Sequence, residues 1–323
     1  MSGTTAGASF PSIASPSLPI TFSKPMKTTA ATRAHLRTLL ATCTLLATTA
    51  LAGTASAAAL QLDFGSVDVT SADATNSPLH TVDGTFTDTS WNKIVHTVGQ
   101  QTNLLYSNGT AATGVSVYVG RSSGLADAWK TLTLAGAATN STSNPNPGGL
   151  DGVFASSTSI GRDGIYGATG GGTPDRITGV AIGGLAAGTY DIYIVGLNPN
   201  LALTDASMGF WAAEQSVSGP IVTSGSGATT FDFTTLIDNG PQAVSTNSVS
   251  STWVEGSNYV KLTVTLASSD SYLTIFSHGL TGTEQRGFLN AIQIVPIPEP
   301  ATISAIAGLS ILFVAFVIRR VRR

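Results

Sequence analysis

One cysteine, Cys43, is all the sequence contains, and it lies in an apolar stretch near the N-terminus. The rest of the chain therefore has no disulfide, thiolate nucleophile or Cys-ligated metal. Charge is also scarce: Asp, Glu, Lys and Arg make up 10 % of the residues, against roughly 25 % in ordinary soluble proteins. The shortage falls on the bases. From Ala58 to Pro300 there are seven (Lys93, Arg121, Lys130, Arg162, Arg176, Lys261, Arg286) against all eighteen acids, a net charge of −11. Phosphate recognition needs grouped Lys and Arg, so nucleic acid is excluded as a partner. Helical periodicity is nearly missing as well, and Ser, Thr, Gly and Asn do the solvating. Long uncharged apolar runs occur at Thr38–Gly53 and Ala301–Ile318, leaving roughly 240 residues between them, which suits one large all-β domain.

At the N-terminal end Arg33 and Arg37 precede the apolar run Leu39–Ala52, and Ala55-Ser56-Ala57 follows with the small side chains a signal peptidase accepts. The reading is a secretory signal peptide over 26–57, cleaved after Ala57. Met26-Lys27 opens a conventional basic region, which leaves 1–25 as an upstream extension if translation starts at Met26. Consecutive arginines are absent here, so the general secretion route is expected over the twin-arginine one.

At the C-terminal end the uncharged Ala301–Ile318 reaches about 27 Å as a helix, enough for a hydrocarbon core. Arg319, Arg320, Arg322 and Arg323 follow, a stop-transfer cluster that keeps this end in the cytoplasm and everything upstream outside. Pro298-Glu299-Pro300 stands before the apolar run. This order of Pro-Glu-Pro, apolar helix and terminal arginines, over 296–323, closely resembles the PEP-CTERM sorting signal of exosortase substrates. The resemblance implies a Gram-negative bacterium that makes exopolysaccharide, an inner-membrane-anchored precursor, and recognition of Pro298, Glu299 and Pro300 by exosortase on the way to the cell surface or extracellular matrix. A permanent single-pass anchor on a stiff Pro-rich stem is the alternative.

Between the ends, 58–295 reads as strands. In Tyr259–Leu266, Val260, Leu262, Val264 and Leu266 share one face while Tyr259, Lys261, Thr263 and Thr265 share the other. Leu60–Phe64, Val115–Val119, Lys130–Leu134, Ile177–Ile182, Thr189–Leu197, Thr230–Phe233, Ser271–Ser277 and Leu289–Val295 are further β-rich runs. Gly183–Gly188 and Leu266–Ser271 read as hairpin connections, and Asn140–Gly172 as long loops. The expected fold is an all-β antiparallel sandwich. The segment Gly184–Ile194 (GLAAGTYDIYI) and the closing Asn290–Val295 (NAIQIV) resemble galactose-binding-like jelly rolls of carbohydrate-binding modules, which implies a jelly-roll-like sandwich with a glycan ligand.

Catalytic patterns are few. Gly120-Arg121-Ser122-Ser123-Gly124 fits the G-x-S-x-G elbow after a strand, with His278 the sole downstream base, but no helix-rich α/β pattern follows. A Gly/Ser turn is the better reading. Ser90-Trp91-Asn92-Lys93 matches S-x-x-K without its partner motifs. His80, His96 and His278 lack metal-ligand spacing, and Gly170-Gly171-Gly172 has no helix behind it to bind phosphate. No cofactor is expected; a structural calcium is compatible with the many acids, but no ligand set or other metal can be assigned. Trp91, Trp211 and Trp253, set among polar residues, are the candidate glycan-stacking rings, with core packing as the alternative. The expectation is a non-catalytic exported surface or matrix protein, with signal peptidase and exosortase as export partners, a transient stay in the inner membrane, and extracellular polysaccharide as the candidate ligand. A secreted carbohydrate-active hydrolase is the alternative.

Overall fold

A computed structural model describes residues 58–65, 68–97, 99–122, 130–134, 140–142, 151–167, 177–197, 207–246, 248–281, 285–298 and 319–320. The chain divides into two compact units, Thr54–Ala307, which holds every described strand, and one made of Met1–Gly53 with Gly308–Arg323. Of the second unit, Arg319 and Arg320 are described, exposed and helical. The signal peptide with Ala55 and Ala57, the apolar run 301–318, Glu299, Pro300, Arg322 and Arg323 all lie outside the described residues. Among those described, no helix is long and apolar enough to cross a membrane.

Two sheets dominate. In chain order the strands are β1 (Leu60–Phe64), β2 (Asn92–Ile94), β3 (Gln100–Gln101), β4 (Ser116–Arg121), β5 (Thr131–Thr133), β6 (Asn140–Thr142), β7 (Gly164–Tyr166), β8 (Thr178–Gly183), β9 (Gly188–Val195), β10 (Met208–Gln215), β11 (Thr230–Asp232), β12 (Ala243–Ser245), β13 (Val260–Leu266), β14 (Tyr272–Gly279), β15 (Phe288–Leu289) and β16 (Ala291–Ile297). One sheet runs β13-β9-β16-β1-β2; the other runs β11-β5-β4-β8-β14-β10-β12, with β3 also on β4; β15-β7-β6 form a small third sheet. Pairing is antiparallel except between β1 and β2. Two five-residue helices, α1 (Pro78–Val82) and α2 (Thr234–Asp238), sit in connections. Ser77 caps α1 through its Oγ and Pro78 supplies the pre-set first turn. The fold is an all-β sandwich.

Period-two alternation builds it in three apolar layers. Leu60, Leu62 and Phe64 of β1, Ile192 and Ile194 of β9, Val260 and Val264 of β13 and Ile292 and Ile294 of β16 meet Val117, Val119, Val180, Ile182, Phe210, Leu273 and Ile275 from the larger sheet. Each side chain so buried stabilises the fold by about 1.5–3 kcal/mol over leaving it wet. The outer faces are covered too. Tyr193, Val195 and Ala291 pack beneath Phe154, Ile160, Trp253 and Tyr259, and Tyr118, Ala181, Trp211 and Phe276 pack beneath Leu132, Phe231, Phe233 and Ile237. Strands buried on both faces explain why so little of the chain shows an exposed polar stripe.

Three expectations need correcting. Gly183–Gly188 is not a hairpin, because β8 pairs with β4 and β14 while β9 pairs with β13 and β16. The link crosses from one sheet to the other, over the roughly 10 Å between packed sheets, with Leu185 buried in the core. Gly184 turns it at φ +79°, where a Cβ would overlap the Gly114 carbonyl. Leu266–Ser271 likewise joins β13 in one sheet to β14 in the other. Finally, the span from Asn140 to Gly172 contains β6, β7 and a 3-10 turn at Gly152–Phe154.

Candidate functional site

The register sets where each end leaves the sandwich. Leu60 pairs with Ile294, and β16 continues past it to Ile297 beside Thr189. The start of β1, the end of β16 and the β8–β9 link thus share one pole. Phe64, Val195, Thr178, Met208 and the start of β16 lie toward the opposite pole.

At the first pole a cleft of about 320 Å³ opens between Ala58, Leu60, Tyr106, Leu185, Tyr190 and Pro296. Tyr190 is buried and donates its hydroxyl to the Ala186 carbonyl at 2.7 Å. Burial pushes that hydroxyl above its ordinary pKa, with Tyr106 adding to the shift. Tyr106 is half-buried, lines the cleft and packs against the central apolar layer. A second depression of about 430 Å³ is lined by 102–105 and 111–116. Pro298 is exposed just beyond β16.

The tryptophans are not a platform. Trp211 is 1 % exposed, stacked on Phe276 at 5.0 Å, and donates its Nε1–H to the Gly240 carbonyl. Trp253 is 5 % exposed, edge-on to Phe154 at 5.3 Å, and donates to Asn76 Oδ1. Trp91 is half-buried against the outer layer of the smaller sheet, its Nε1–H on the Ala74 carbonyl. Polar sequence neighbours misled because indole N–H groups find partners in the covering loops. Trp211 and Trp253 belong to opposite outer layers, so the three share no surface.

The serine–histidine reading gains nothing. Ser122 is fully buried. It follows β4, whereas His278 is on β14, and β8 lies between them, which separates the two strands by roughly 9–10 Å, twice the strand spacing. His80 has a structural role, its Nδ1 within 2.6 Å of Ser77 Oγ and its Nε2 within 2.9 Å of the Asp88 carbonyl. Burial lowers the pKa of both His80 and His96.

At the far end of β1 lies a feature that the sequence did not announce. Asp63 and Asp163 are 2 % and 1 % exposed. Burial first, then the Asp163 charge, holds Asp63 well above the usual carboxylate range; a Gly161 N–H opposes this. Asn290 pins the approaching loop by donating its Nδ2 hydrogens to the carbonyls of Gly161 at 3.0 Å and Asp163 at 2.9 Å, while its Oδ1 accepts from Leu197 N–H. Neither acid lines the clefts above.

No family model matches the chain, and no curated protein matches it. Among solved structures, isomalto-dextranase of Arthrobacter globiformis T6, complexed with panose, aligns at TM-score 0.24 and 17 % identity over 55 % of this chain and 23 % of that one. The K1 cleaved adhesin domain of Lys-gingipain from Porphyromonas gingivalis W83 aligns at TM-score 0.26 and 14 % identity over 56 % of this chain and 99 % of that one. The chain spans less than a quarter of the dextranase, and scores this low decide neither fold nor function.

Proposed function

We propose that this protein is a non-catalytic surface or matrix protein, exported through its N-terminal signal and sorted through the PEP-CTERM-like tail that begins at Pro296. The observation that supports the reading is the shared pole: β1 begins beside the end of β16, so the chain enters and leaves the sandwich on the same side. The jelly-roll resemblance of Gly184–Ile194 and Asn290–Val295 supports exopolysaccharide as the ligand. With Trp211 and Trp253 in the core, the glycan contact moves to the Tyr106 cleft, where a half-buried ring and apolar walls suit the flat face of a sugar.

A hydrolase would need acids or a nucleophile–base pair open to a polymer. Ser122 and the Asp63–Asp163 pair are buried and offer none. Glu299→Ala in the full-length chain tests the sorting reading by cell fractionation. Accumulation of the precursor in the inner membrane is expected; wild-type surface levels of the variant would overturn it.

A further inference from the structure

One serine holds the entry of β1. Ser107 is 1 % exposed; its Oγ accepts the Ala59 N–H at 3.0 Å, and its own N–H goes to the Ala59 carbonyl at 2.7 Å. The same hydroxyl donates to Asp88 Oδ2 at 2.6 Å, while the Asp88 carbonyl lies against His80 Nε2. Asp88 is thus fixed through side chain and main chain, and one hydroxyl joins its carboxylate to Ala59. Ala58, one residue upstream, lines a cleft of about 200 Å³ together with Asp83, Phe86, Asp88 and Asn108. Asp83 accepts the N–H and hydroxyl of Thr85, and these bonds, the hydroxyl first, hold it below the usual carboxylate range. No Lys or Arg lines the cleft, and among the described residues neither acid is ion-paired. The other titratable groups beside it are His80, whose pKa burial lowers against the Asp88 charge, and Tyr106, which lines the other cleft that Ala58 touches.

Cleavage after Ala57 changes the charge at this place. In the precursor Ala58 contributes an uncharged peptide N–H. Hydrolysis of the Ala57–Ala58 bond adds one water: Ala57 leaves with the carboxyl group, and Ala58 keeps an amine whose ordinary pKa lies above neutral pH, so it takes a proton. A cation with three donors appears one residue from the hydroxyl that holds Asp88. We propose that this new α-ammonium group pairs with the Asp88 carboxylate, so that removal of the leader fastens the entry of β1 to the segment between Asp83 and Asp88. The proposal rests on the export reading and extends it: processing completes the domain as well as releasing it. A charge-assisted pair in a part-covered cleft is stronger than its fully exposed equivalent, because water screens it less.

The test compares the full-length precursor with the chain cut from it by purified signal peptidase, in one detergent, for wild type and for Asp88→Asn, whose side-chain oxygen still accepts from Ser107. The pKa of the Ala58 amine is read from its rate of labelling by an amine-reactive ester against pH, with peptide mass spectrometry as the detector. It should be higher in cut wild type than in cut Asp88→Asn, leaving about 3-fold less free amine at neutral pH. The cut wild type should also unfold at a higher temperature than the precursor. That gain is present below the pKa of the unfolded amine and lost as pH rises through the folded one, and Asp88→Asn should lack it. Equal amine pKa values in the two cut proteins overturn the proposal, as does an equal gain in midpoint with and without Asp88. Should the variant not fold, an Ala58 amine pKa no higher in native cut wild type than in urea overturns it. A precursor that is not cut before Ala58 overturns the export reading and the proposal together, whereas a clean cut followed by equal amine pKa values overturns the proposal alone.

Discussion

Replacing Trp211 with Ala separates a core ring from a ligand-binding one. The indole is 1 % exposed and stacked on Phe276 at an interplanar angle of 7°, and Phe233 lies 4.4 Å from the same Phe276 ring. Removing so large a buried ring costs about 3–5 kcal/mol through lost transfer energy and the cavity left behind. The Gly240 carbonyl also loses its donor, but it is only part-buried and water can take the donor's place. Against a total stability of about 5–15 kcal/mol, the loss of roughly 3–5 kcal/mol takes a fifth of it or more. Urea unfolding followed by circular dichroism reads this as a lower midpoint with an unchanged slope. Trp211→Phe keeps an aromatic stack and should lose less than half as much. A Trp211→Ala protein that loses under about 1 kcal/mol yet no longer binds polysaccharide would refute the core placement.

Other outcomes follow from single residues. Gly184→Ala should destabilise by about 2 kcal/mol or more, because φ is +79° there and the Gly114 backbone occupies the space; thermal unfolding checks it, and an unchanged midpoint contradicts the crossing between sheets. Asn290→Ala removes three buried hydrogen bonds and should cost about 2–4 kcal/mol, with proteolysis appearing first near Gly161. Asp63 has a raised pKa in the fold, chiefly through burial, so its contribution is present below the unfolded carboxylate pKa and lost as pH rises through the folded one. Wild type measured against Asp63→Asn should therefore lose relative stability between acidic and neutral pH, and a flat difference would show that Asp63 titrates normally. Tyr106→Ala should weaken retention on an exopolysaccharide column with little effect on the unfolding midpoint, and unchanged retention removes that cleft from the account.

What the sequence could show was set by period and burial. β1 and β13 alternate aliphatic or aromatic residues with polar ones, β9 and β14 are rich in β-branched and aromatic residues, and their positions lie close to those expected. β10 was missed because Met208-Gly209-Phe210-Trp211-Ala212-Ala213 is apolar on both faces and has no alternation to read. β2, β3 and β12 span two or three residues, too few for a period. The links at Gly183–Gly188 and Leu266–Ser271 were located, but spacing alone does not tell a hairpin from a crossing between sheets, since both need a short glycine- or serine-containing turn. The acid pair was invisible for a different reason. Asp63 and Asp163 are a hundred positions apart, and the loop contacts that place Asp163, among them Asn290 on its carbonyl, have no sequence signature.

The account's central claim is export followed by sorting through the tail, and intact-mass spectrometry of the protein released from the cell surface tests it most directly. The mass should correspond to a chain that begins at or within a few residues of Ala58 and lacks Phe313–Arg323. A surface protein that keeps Leu39–Ala52, or that still ends in Arg319-Arg320-Val321-Arg322-Arg323, would contradict it.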